Sequence, residues 1–118
     1  NTSLPRLAAQ VASLPKPTRV LLLTHPGPAS SSTTRVSGLN PNDLNAPGLR
    51  DNDIMSGSKF LQAALVGPDV MQERVALHLH GHTHHGAGMA RLGAIPVLNP
   101  GSLRFTRTYA LATMMRSD

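Results

Sequence analysis

The run Val75-Ala76-Leu77-His78-Leu79-His80 alternates with the two-residue period of a strand and leads directly into Gly81-His82-Thr83-His84-His85-Gly86. A strand here puts Val75, Leu77 and Leu79 on one face and Ala76, His78 and His80 on the other. Five of the chain's six histidines lie within residues 77–86. Neutral imidazole is the commonest protein metal ligand, so this density points to a metal site. With extended backbone, His82 and His84 project to the same side with Cα atoms roughly 6.5–7 Å apart. Paired catalytic metals sit about 3.5–4 Å apart, so two imidazoles so spaced reach one ion each or share one.

The sixth histidine, His25, ends the most apolar run of the chain, Val20-Leu21-Leu22-Leu23-Thr24. Residues 19–24 read as a short strand buried on both faces. Pro26, Gly27 and Pro28 stop it, because proline cannot donate to a ladder and glycine admits unusual dihedrals. His25 therefore sits at a strand end, where side chains project into sites.

The remaining elements follow from local pattern. Residues 4–14 place Leu4, Leu7, Ala8, Val11 and Ala12 on one helical face, and Pro15 and Pro17 end that helix. Residues 29–57 have no sustained period and form a long, partly mobile loop, with Ser30 to Thr34 its most mobile part. Residues 59–66 read as a helix with Phe60, Leu61, Ala64 and Leu65 on one face, capped by a preceding serine, Ser56 or Ser58, and closed by Gly67-Pro68. Residues 89–92 and 94–98 read as a hairpin around Gly93, Asn99-Pro100-Gly101-Ser102 as a turn, and residues 106–114 as a final strand. The order of elements is that of an α/β chain with a mixed sheet.

At 118 residues the chain is at most one domain. Only 3% of it is aromatic, so its core must be built from Leu, Val, Ile, Ala and Met. The absence of cysteine excludes disulfides and thiolate metal sites and fits a reducing, intracellular setting. No apolar run approaches the ~20 residues that cross a bilayer. The +5 charge comes from nine arginines and two lysines scattered along the chain. Dedicated nucleic-acid binders concentrate such charge and add stacking aromatics, so this distribution argues against that class and for a basic surface or an attraction to phosphate-bearing substrates.

Taken together, Leu21-Leu22-Leu23-Thr24-His25, His80-Gly81-His82-Thr83-His84 and Leu98-Asn99-Pro100-Gly101-Ser102 resemble, in order and spacing, the last part of the calcineurin-like metallophosphoesterases. The resemblance spans roughly residues 19 to 104. It implies the mixed-sheet half of a β-sandwich flanked by helices, with the site at strand ends. It also implies hydrolysis of phosphomonoesters or phosphodiesters by two divalent ions, manganese, iron or zinc, which activate water. His25 and His82 would hold one metal and His84 the other.

The earlier motifs of that family, Asp-x-His, Gly-Asp and Gly-Asn-His-Asp/Glu, have no counterpart here. Residues 1–118 thus read as the C-terminal part of a single domain whose N-terminal half supplies the other ligands. Two dications 3.5 Å apart repel by about 19 kcal/mol at an effective dielectric of 20, which anionic ligands must offset. The six carboxylates, Asp43, Asp51, Asp53, Asp69, Glu73 and Asp118, have no ligand-like spacing; Asp51 and Asp53 are the ones that could swing in from the long loop. The isolated chain should bind one metal weakly or none and turn over no phosphate ester. A half domain should also bare an apolar seam and self-associate or pair with the missing half.

Blander readings stand beside these. His78 and His80 read as structural, His85 as a surface residue, Thr83 as a loop stabiliser, and Asn99 and Ser102 as a simple turn or as contacts to the histidine loop or a phosphate. The competing function is a protein-binding scaffold that keeps the fold with a weakened metal site. A small histidine-only zinc domain is the third, disfavoured because closed structural zinc sites usually include cysteine.

Overall fold

In the computed structural model, which describes residues 3–29, 31–34, 57–83, 86–104 and 106–115, helices pack on one face of a four-stranded mixed sheet. Helix α1 spans Ser3–Ala12, strand β1 Val20–Thr24, helix α2 Lys59–Val66 and helix α3 Asp69–Arg74. Strands β2, β3 and β4 span Val75–His80, Gly88–Leu92 and Ile95–Asn99. The sheet order is β1-β2-β4-β3; β1, β2 and β4 run parallel, and β3 is antiparallel to β4. Because β1, β2 and β4 are parallel, their C-terminal ends share one edge of the molecule. In open α/β sheets that edge is where ligands bind.

Local chemistry explains most boundaries. Ser58 caps α2, its Oγ accepting the Leu61 N–H at 3.0 Å, as a serine before the helix predicts; Ser56 lies outside the described residues. Helix α3, absent from the sequence reading, begins after Pro68 and has Asp69 in its first turn and Arg74 in its last, matching the helix dipole. Leu61, Leu65, Met71, Val75, Ile95 and Val97 are buried between helices and sheet. Each such side chain contributes roughly 1.5–3 kcal/mol by leaving water.

The two faces of the sheet differ sharply. His78, His80, Val97 and Asn99 are buried on the helix side. On the other side, Leu23, Leu79, Leu98 and Met89 form a row across all four strands through the pairs Leu23–Leu79, Leu79–Leu98 and Leu98–Met89. Leu23 is 75% exposed and Met89 66%, while Leu79 and Leu98 are half-buried. Strand β1 is therefore not buried on both faces: its burial alternates, and Leu21 and Leu23 face outward because no second layer covers them among the described residues. The segment bearing Ala110 and Ala112 lies beside this row and forms a groove of about 310 Å³ with Leu23, Leu79 and Leu98.

Two further expectations are corrected. Described residues 106–115 form no strand; Thr106 and Thr108 instead bond to each other and back to Ser102 and Pro100. Phe60 is 77% exposed, so the inward face of α2 is Leu61 and Leu65. Ser31, Thr33 and Thr34, in the segment expected to be the most mobile part of the loop, are buried in and beside a 3-10 turn at Ser32–Thr34, with their hydroxyls hydrogen-bonded to one another, to backbone carbonyls and to His80. The rest of the long loop, with Asp43, Asp51 and Asp53, lies outside the described residues.

Candidate metal centre

The parallel pairing of β1 with β2 sets Thr24 opposite His80, so the chain leaving each strand emerges beside the other. The Gly81 N–H donates to the His25 carbonyl at 3.0 Å, which joins the two exits directly. One residue on, the Thr83 N–H donates to the Gly81 carbonyl at 2.7 Å, and His82 between them has φ +64. An i to i+2 bond around a positive-φ residue is the rare, strained form of γ-turn. A non-glycine residue held there costs on the order of 1–3 kcal/mol. The loop is thus not extended at His82, whereas the expected same-side projection of His82 and His84 assumes extended backbone. His84 and His85 lie outside the described residues.

The strained turn brings His82 onto His25. Their rings are 4.9 Å apart at an interplanar angle of 69°, and His82 Nδ1 lies 3.1 Å from His25 Nε2, one ring donating its N–H to the other. Both side chains are exposed. Two nitrogens at this separation, each about 2.0–2.1 Å from a shared ion, would subtend roughly 95–100° there, between square and tetrahedral values. The pair would supply two adjacent ligands of one cation once the donor ring shifts its proton to its other nitrogen and both lone pairs turn toward the ion. Among the described residues no third His, Asp or Glu completes a cluster.

Behind this exposed pair lies a buried one. Thr24 Oγ1 donates its only proton to the Pro26 carbonyl at 2.7 Å, so it must accept from His78 Nε2–H, also at 2.7 Å. His78 is then neutral, and its buried Nδ1 lone pair has no hydrogen-bond partner among the described residues. His80 takes the opposite tautomer. Its Nδ1–H donates to the Gly81 carbonyl at 3.0 Å, and its Nε2 accepts from Thr33 Oγ1 at 2.8 Å, which in turn accepts from Ser31 Oγ. Burial pushes the His78 pKa down to about 4, with neighbouring His80 adding to the effect, and burial lowers His80 as well. These two rings shape the ground under the site rather than reach out of it, in keeping with their structural reading.

Two residues bear on the site without having been marked as such in the sequence. Thr24 and Thr33 orient the two inner imidazoles, but each looks like an ordinary strand-end or loop threonine. Asn99 was marked only as a turn or contact residue. It is buried at the end of β4 and donates from Nδ2 to the carbonyls of Thr83 at 2.7 Å and Thr33 at 2.9 Å. Comparison with protein-family models, with curated proteins and with solved structures yields no match to this chain.

Proposed function

We propose that this chain is the C-terminal part of a metal-dependent phosphoesterase domain of the calcineurin-like type, with His25 and His82 as ligands of one divalent ion. The observation that carries this reading is the 3.1 Å approach of His25 Nε2 to His82 Nδ1 across 57 residues of sequence. It occurs on the strand-end edge where the family motif leads one to look. His84 is proposed as the ligand of the second ion. In such domains the ions supply an acidified water and polarise the phosphoryl group. The contribution of this chain's residues is to hold two imidazoles at chelating distance on a rigid sheet edge, with basic surface charge favouring an anionic substrate.

Among the described residues no carboxylate joins the pair, and two neighbouring dications require such anionic ligands, so the proposed behaviour of the isolated chain is weak binding of a single ion and no ester hydrolysis. Zinc titration followed by NMR should shift the His25 and His82 ring resonances, and His25→Ala should abolish the shift at His82. No metal-dependent release of nitrophenol from nitrophenyl phosphate should accompany it. Zinc that leaves both rings untouched would sink the ligand assignment; rapid turnover would sink the proposed incompleteness. A second reading, a protein-binding scaffold, draws on the apolar Leu23–Leu79–Leu98–Met89 row, whose ends Leu23 and Met89 are exposed. It expects a partner on that face and no dependence on His25 or His82.

A further inference from the structure

Asn99 carries an inference that deepens the metal-site reading and rests on it. The residue is 1% exposed, and both of its side-chain N–H donors are used within the protein. Nδ2 donates to the carbonyls of Thr83 and Thr33, and Oδ1 accepts the Gly101 N–H at 2.9 Å. No side-chain N–H donor is left for a phosphate oxygen, so the phosphate-contact reading of Asn99 drops out, while its contact with the histidine loop stands. The partners belong to three separate segments: the histidine loop, the loop after β1 and the turn after β4.

Thr83 immediately follows His82, and the γ-turn around His82 is secured from both sides. On one side the His25 carbonyl accepts from Gly81; on the other, the Thr83 carbonyl accepts from Asn99 and from the Gly86 N–H at 3.1 Å. The turn holds a positive φ that a histidine does not choose freely, so the surroundings must impose it. Gly86 fits closely against this clamp: a Cβ there would collide with the Thr33 carbonyl and crowd Asn99 Nδ2. The side-chain hydrogen bonds of Asn99 all go to backbone groups rather than to the exposed imidazoles.

We infer that Asn99 is a positioning residue: its buried carboxamide ties Thr83 to Thr33 and so holds the strained turn that presents His82 to His25. In Asn99→Asp, carboxylate oxygens replace the amide donor and face two carbonyl oxygens, which repels the turn. Asn99→Ser keeps one short donor and serves as a milder variant. The readouts are NOEs between the His25 and His82 rings, NOEs between Leu79 and Leu98 across the sheet, and affinity for zinc alone.

The expected result for Asn99→Asp is loss of the ring–ring NOEs with the sheet NOEs retained, and a fall in zinc affinity of about 10–100-fold, the range seen when groups behind metal ligands are removed. Asn99→Ser should fall between it and the wild type. Ring–ring NOEs and zinc affinity unchanged in Asn99→Asp would overturn the inference. So would loss of the sheet NOEs in both variants, which would make Asn99 a residue of the fold at large. If the wild-type rings show their NOEs but take no zinc, the metal reading fails while the positioning role is still decided by the NOEs.

Discussion

His78 is the residue whose chemistry is most sharply constrained. Burial makes a charged imidazole costly here, and a second proton would have to go to Nδ1, which is buried with no partner among the described residues, so the folded state resists protonation down to about pH 4. The unfolded chain takes that proton near the ordinary histidine value of 6.5. Between those two values the unfolded state binds more protons, so stability falls as pH drops from about 6.5 to about 4. Above that window the contribution of His78 is fully present. The loss is on the order of 3 kcal/mol, and His80 pushes in the same direction. Urea midpoints near pH 7.5 and near pH 4.5 should therefore differ clearly, and His78→Leu should flatten the dependence. Equal midpoints in the native protein would contradict the tautomer assignment.

At the scale of elements, helix α3 works as a fastener, and two of its side chains do most of the fastening. The buried Arg74 donates from Nη1 to the carbonyls of Val11 at 3.1 Å and Leu14 at 2.8 Å, placing a cation at the C-terminal end of α1. Gln72 donates from Nε2 to the carbonyls of Leu65 and Leu92, and its Oε1 accepts the Ala94 N–H at 2.7 Å. It thereby ties α2 to the β3–β4 turn. That turn requires Gly93, whose φ is +64 and whose missing side chain makes room for Gln72. Arg74→Met should cost about 1–3 kcal/mol through the orphaned carbonyls, and Gln72→Ala should cost a similar amount; urea unfolding measures both. No loss in either variant would mean that α1 and the hairpin are held by apolar packing alone. Helices α1 and α2, the strands and the Gly93 hairpin were all legible, because apolar period, caps and turn residues act over a few positions. Helix α3 was not. Its six residues are too few to display a period, and its stability comes from bonds to segments far away in sequence.

For the molecule as a whole, the telling feature is a sheet that helices clad on one side only, among the described residues. Among the described residues no helix is long and apolar enough to cross a membrane, so the exposed leucines are not explained by a helical span. In the proposed reading this face meets the rest of the domain or a second copy of the chain. Sedimentation should then show concentration-dependent self-association, and Leu23→Glu should suppress it while leaving the helix-side core intact. A native chain that sediments as a monomer at every concentration would count against that use of the face. Sequence alone determined the α/β class, the positions of the main elements and the residue types from which a metal site can be made, since these depend on periodicities and side-chain chemistry carried locally. Only the tertiary structure decided which face of β2 is buried, that the histidine face rather than the leucine face lies under the helices, and that His25 meets His82. Alternation says which side chains share a face, but burial and convergence depend on which strands become neighbours and where the helices come to rest, and those are set by contacts between distant segments.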